Sequence, residues 1–122
     1  MKTDNIIVDK TKAFAVRVVN LYKFLSNDKK ETVLSKQLLR SGTSIGANVK
    51  EAIRSQSDSD FAFKMSIALK ESSETEYWLE LLNETGYLTD SQFESIITDC
   101  REIIRILTSI VKSSYNRINN NA

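Results

Sequence analysis

The sequence predicts an all-α protein, an antiparallel up-down-up-down four-helix bundle, and three observations carry that expectation. Among 122 residues there is no proline and only three glycines, Gly42, Gly46 and Gly86, whereas sheets and tight turns use both freely. Apolar residues recur at alternating spacings of four and three along nearly the whole chain, the mark of a helical stripe. Four such stretches are separated by short polar breaks, which makes consecutive helices antiparallel neighbours. The length suits one domain spanning 1–122, able to bury roughly two-thirds of its unfolded surface without disulfides or metals.

The first segment, about 9–26, carries Phe14, Val18, Leu21 and Leu25 on one stripe, with Asp9 or Thr11 as the expected cap. Asn27-Asp28-Lys29-Lys30 then offers nothing apolar and ends it. The second segment, about 31–55, places Leu34, Leu38, Ile45, Val49 and Ala52 on one face. Gly42 and Gly46 interrupt it, each costing roughly 1 kcal/mol relative to alanine inside a helix. Two shorter helices with a turn between them is the alternative. The apolar phase continues across both glycines, so one helix is expected, with a neighbouring backbone approaching closely at the small residues.

The third segment, about 58–84, follows a cap at Ser57 or Asp58 and has acidic residues in its first turn, where the helix dipole favours them. Phe61, Met65, Ala68, Ser72, Thr75, Leu79 and Leu82 form its stripe, and Gly86 is its expected C-terminal stop. The fourth, about 89–118, opens at Thr89 or Asp90 and repeats the pattern in Phe93, Ile97, Cys100, Ile104, Leu107, Val111 and Ser114. The tail from Asn119 to Ala122 is expected to fray.

A second apolar seam runs beside the main one in the fourth segment: Ile96, Ile103 and Ile110. A bundle helix needs one apolar face, so this seam either widens the core contact or forms a subunit interface. Tyr77 and Trp78, beside the third stripe, join it as candidate oligomer-interface residues, since aromatics are enriched at interfaces.

Net charge is only +1, so no global field points to nucleic acid or membrane. The charge is nevertheless sorted. Segment one carries Lys10, Lys12, Arg17 and Lys23 against Asp9, whereas segment three is strongly acidic. In segment two, Lys36, Arg40, Lys50 and Arg54 fall within about 80° of one another opposite the apolar face. That stripe is the candidate nucleic-acid-binding surface. The competing reading is a solvated face or one paired with segment three, and no aromatics are interleaved as in known nucleic-acid motifs. Arg40, Ser41, Ser44, Asn48 and Glu51, with Glu74 reaching across, form a candidate polar network that would set helix register.

Catalytic chemistry has little to work with. The chain has no histidine, which removes the commonest general base and the commonest metal ligand. The Gly42–Gly46 run lacks the Lys-Ser/Thr of a phosphate loop. Glu71, Glu74 and Glu76 raise a carboxylate metal site, yet solvation, or pairing with Arg40 or Lys50 across the bundle, explains them more simply. No catalytic residue, metal or cofactor is therefore expected. The single cysteine, Cys100, lies in an apolar stripe and reads as a buried thiol. No apolar run approaches the ~20 residues that span a bilayer and no signal-peptide core is seen, so a cytoplasmic, non-membrane setting is expected.

The run Leu38-Leu39-Arg40-Ser41-Gly42-Thr43-Ser44-Ile45-Gly46-Ala47-Asn48-Val49-Lys50-Glu51-Ala52 resembles the signature of the four-helix bundle proteins encoded in 23S ribosomal RNA intervening sequences. The block from Phe61 through Ile67-Ala68-Leu69-Lys70-Glu71-Ser72-Ser73-Glu74-Thr75-Glu76-Tyr77-Trp78-Leu79 is similar to the family's second motif, with Lys70-Glu71 where many members have Gly-Ser. The resemblance covers about 10–116. It implies a left-handed up-down bundle assembling as a homopentamer, with no enzymatic activity. A related branch, the accessory proteins of diversity-generating retroelements, binds a reverse transcriptase and nucleic acid through a basic surface. The basic stripe, the second apolar seam and the resemblance together lead to the expectation of a homo-oligomer that contacts RNA, DNA or a nucleoprotein. A protein-interaction module without nucleic-acid contact is the alternative.

Overall fold

A computed structural model describes residues 2–121, and the side chains of residues 6–120. Four helices account for almost all of it: α1 (Lys2–Asn27), α2 (Leu34–Ile53), α3 (Asp58–Glu84) and α4 (Asp90–Asn121). α1 packs on α2, α2 on α3, α3 on α4 and α4 on α1, with no direct α1–α3 or α2–α4 packing among the described residues. One buried cluster with contributions from all four helices fills the space between them. Among the described residues no helix is long and apolar enough to cross a membrane.

Each helix end has a local cause. α1 begins at Lys2 rather than near Asp9. Fully buried Ile7 extends the stripe of Thr11, Phe14, Val18 and Leu25 by another turn. Thr11 is therefore no cap. It lies inside the helix and donates its hydroxyl to the Ile7 carbonyl at 2.8 Å. α2 begins at Leu34 rather than near 31 because Glu31 stays outside it and caps it. Its carboxylate accepts the amides of Val33, Leu34 and Ser35 at 2.9, 3.0 and 2.9 Å, which satisfies donors the first helical turn leaves open.

α3 has the expected ends. Ser57 accepts the Asp60 amide at 3.0 Å. At the other end Gly86 takes a left-handed φ of 85°, and the amides of Tyr87 and Gly86 reach the carbonyls of Leu82 and Asn83, the Schellman arrangement. α4 is opened by a reciprocal capping box: the Gln92 amide bonds the Thr89 hydroxyl at 3.1 Å and the Thr89 amide bonds the Gln92 side chain at 2.9 Å. The helix runs on through Asn121, past the expected fraying point, and Ala122 lies outside the described residues.

α2 crosses both glycines without a break. A Cβ at Gly42 would stand 2.7 Å from Val18 Cγ1, and one at Gly46 would stand 3.3 Å from the Thr11 carbonyl oxygen. The small residues are what let α1 approach.

The seam in α4 corrects one expectation. Ile96, Ile103 and Ile110 are 4%, 2% and 8% exposed and belong to the core of the chain, so they are not a free subunit interface. The core line runs Ile96, Cys100, Ile103, Leu107, Ile110 and Ser114, while Phe93, Ile104 and Val111 of the expected main stripe are only half-buried. Both candidate stripes had heptad spacing. The position of α1 and α3 beside α4 selects the line between them.

Candidate functional site

The residues singled out in the sequence separate into an ion-paired seam between α2 and α3 and an open basic face on α2. In the seam, Arg40 of α2 reaches two glutamates of α3. Its Nη1 donates to Glu71 Oε2 at 2.9 Å and its Nη2 donates to Glu74. The Trp78 indole Nε1, one turn beyond Glu74, donates to the same Glu74 Oε2 at 3.0 Å. The Trp78 hydrogen bond first, and Arg40 after it, hold the Glu74 carboxyl below its ordinary range. The bonds to Glu74 and then Glu71 raise the Arg40 guanidinium above its usual value.

Deeper in the same seam the buried Ser41 and Thr75 hydroxyls are hydrogen bonded at 2.9 Å. This pair ties α2 to α3 within an otherwise apolar layer and fixes their register. Ser44 and Asn48, expected in the network, bond their own helix instead: Ser44 Oγ donates to the Arg40 carbonyl at 2.6 Å, and Asn48 Nδ2 to the Ser44 carbonyl at 2.9 Å. Glu51 lies apart, receiving Lys64 of α3 at 3.0 Å. Of the expected set, then, Arg40, Ser41 and Glu74 join across the helices, while Ser44, Asn48 and Glu51 do not join them. Glu71 pairs with Arg40 as foreseen, but Glu76 faces α4 and takes Arg101 at 2.9 Å. Thr75 and Trp78 were missed as polar partners. The readable signal for Trp78 was its place four residues after Glu74, on the same side of one helix.

The basic face consists of Lys36, Lys50 and Arg54, all exposed and none in an ion pair among the described residues. Arg40 shares that side of α2, but its charge is committed to Glu71 and Glu74. Lys50 and Arg54 stand one turn apart, and Lys36 lies about 20 Å up the helix at 1.5 Å per residue. A shallow groove of about 510 Å³ adjoins Lys50 and Arg54, with Asp60 and Lys64 on its far wall. A larger one, about 730 Å³, opens at the same end between Ile53, Phe61, Ser109 and Arg117. Among the described residues no three His, Cys, Asp or Glu side chains come together to hold a metal ion.

Cys100 is buried under α3, its Sγ 3.6 Å from the Ser72 carbonyl. Desolvation pushes its thiol up to about 12, so the reactive thiolate is suppressed. Tyr77 is exposed and packs edge-on to half-buried Trp78 with ring centroids 5.0 Å apart. This is the one part of the expected interface set that the fold leaves accessible.

Fold and seam together define an all-α four-helix protein whose second and third helices are tied by polar contacts among Arg40, Ser41, Glu71, Glu74 and Thr75. The chain belongs to the 23S rRNA-intervening sequence protein family, whose model matches residues 3–109. It is also similar to a protein of unknown function from the S23 ribosomal protein family of Bacteroides thetaiotaomicron VPI-5482, known from a crystal structure at 1.70 Å resolution. The two are 61% identical with a TM-score of 0.89, over 90% of this chain and 98% of the other. A search of curated proteins finds no match.

Proposed function

We propose that this chain is a non-enzymatic, cytoplasmic, self-associating four-helix bundle that serves as an adaptor for RNA or a nucleoprotein. Its helices are taken to run up-down-up-down. Contact registers that descend along one helix as they climb the next support this: Gly42 meets Val18 and Gly46 meets Thr11, while Ser41 meets Thr75 and Glu51 meets Lys64. A five-fold assembly is what the family resemblance implies, and it would repeat the basic face around a ring.

The observation that carries the nucleic-acid reading is the exposed set of Lys36, Lys50 and Arg54 without carboxylate partners, on a helix whose fourth outward cation is neutralised internally. Phosphates can meet these three without breaking a contact of the fold. The test is fluorescence anisotropy with single-stranded RNA and DNA across a salt series, using the Lys36→Glu/Lys50→Glu/Arg54→Glu variant as control. Arg40 is kept, because its reversal would strike the α2–α3 seam. Three phosphate contacts on a single strand give a log–log salt slope of about −2 per protomer, or roughly a twentyfold loss between 50 and 200 mM salt. Binding that persists in the folded triple variant would sink this assignment.

A second reading, a protein-interaction module without nucleic-acid contact, is favoured by the near-neutral net charge and by exposed Phe63 and Tyr77 on the outside of α3. Absence of any binding at about 50 mM salt would make it the better account.

A further inference from the structure

α3 carries two heptad seams. The inward one is buried. The outward one, Phe63, Ile67, Lys70, Glu74, Tyr77 and Leu81, keeps the same four-three spacing about 200° around the helix, two residues out of phase with the core line. Phe63 and Tyr77 are each 55% exposed there, Tyr77 resting edge-on against Trp78. α1, at the opposite corner of the bundle, has an outward seam with matching periodicity: Ile6, Asp9, Ala13, Val16, Asn20 and Lys23. Ile6 is 49% and Val16 53% exposed. Soluble monomers scatter their exposed apolar residues singly, whereas these two faces repeat them at coiled-coil spacing.

Laid side by side in parallel with Ile6 set against Ile67, the two seams match at four positions. Ile6 meets Ile67, Asp9 meets Lys70, Val16 meets Tyr77 and Lys23 meets Glu84, which continues the stripe three residues past Leu81. At these four positions apolar falls on apolar and each charge on its opposite; between them Ala13 falls beside Glu74, which already pairs with Arg40, and Asn20 beside Leu81. None of Asp9, Lys23, Lys70 or Glu84 has an ion-pair partner among the described residues. In an up-down-up-down bundle α1 and α3 run the same way, and their outward faces point to opposite sides of the molecule.

We infer that the outward face of α3 in one copy of this chain docks in parallel on the outward face of α1 in the next. Such a contact is heterologous, so it propagates head to tail and closes into a ring where the rotation per copy permits. The inference rests on the self-associating reading above and adds to it the two surfaces and their register.

The experiment is disulfide trapping in the full chain, combined with light scattering. Wild-type Cys100 can remain, since it is buried and its thiol stays protonated. Mild oxidation of a Val16→Cys/Tyr77→Cys double variant should give a ladder of covalent multimers, and a mixture of the two single variants should give covalent dimers. Lys23→Glu should weaken assembly at least about tenfold through like-charge contact with Glu84, and adding Glu84→Lys should restore it. Circular dichroism and a cooperative urea transition establish that each variant is folded. If the wild type is an oligomer but the double variant gives no ladder, or Tyr77→Cys alone links to itself in a two-fold α3–α3 contact, the pairing is overturned while self-association stands. A wild type that is monomeric up to millimolar concentration removes self-association, and the pairing with it.

Discussion

Gly42→Ala should destabilise this protein, although alanine is the better helix former. In an exposed helix interior the change would gain about 1 kcal/mol. Here the new Cβ would stand 2.7 and 2.8 Å from the two Val18 γ-methyls and 3.2 Å from its Cβ. Val18 is fully buried, and its β-branched side chain holds essentially one χ1 rotamer in a helix, so it cannot turn away. Overpacking of this kind costs about 2–3 kcal/mol, which leaves a net loss of about 1–2 kcal/mol. Urea unfolding followed by circular dichroism should show the midpoint falling by roughly 0.5–1 M at an unchanged slope. Chain concentration must be held fixed, because the self-association proposed above would add apparent stability.

The double variant isolates the cause. Val18→Ala alone should cost about 2 kcal/mol for its two lost methyls and the space they leave. With Gly42→Ala added, the new methyl enters that space, and the pair should be no worse than Val18→Ala alone. The implied coupling is about 1–2 kcal/mol. Gly46→Ala is the internal control: its Cβ would lie 3.3 Å from the Thr11 carbonyl oxygen, a tight but tolerable approach, so its effect should be close to zero. If Gly42→Ala stabilised the protein by the full helix-propensity gain, the close approach of α1 to α2 at this point would be refuted.

Two further outcomes follow from the helix ends and the seam. Glu31→Ala removes the carboxylate that accepts three amides at the start of α2; a loss of about 1–2 kcal/mol is expected, with faster hydrogen exchange at Val33, Leu34 and Ser35 as the local readout. The Glu74 pKa is lowered in the folded chain, chiefly by Trp78 and then by Arg40. Its stabilisation is therefore present above the ordinary carboxylate value of 4.5 and is lost as pH falls from there through the depressed folded value. Trp78 is the only tryptophan in the chain, so its fluorescence should titrate over that acid range. The acid decline in urea midpoint should be shallower in Trp78→Phe, and equal slopes in the two proteins would contradict the assignment.

Much of the architecture follows from periodicity alone, because helix formation and burial are governed by spacing along one chain. The four stripes, the passage of α2 through Gly42 and Gly46, the Ser57 cap and the Gly86 stop were all legible without coordinates. So were the pairing of Arg40 with Glu71 and Glu74 and the burial of Cys100. Spacing could not choose between two stripes that both keep it: whether Ile96, Ile103 and Ile110 turn inward depends on where α1 and α3 sit beside α4. Nor could it show that Arg40 is neutralised while Lys36, Lys50 and Arg54 remain open, since all four share one side of α2 and only α3 distinguishes them. The start of α1 was hidden for a related reason: Thr11 is a good cap by composition, and becomes an interior residue once Ile7 finds a place in the core. Local chemistry determines which helices can form and which faces they must bury. Which of several equally periodic faces is buried, and which charges are left for a partner, is decided by neighbours distant in sequence, through the packing that only the tertiary structure supplies.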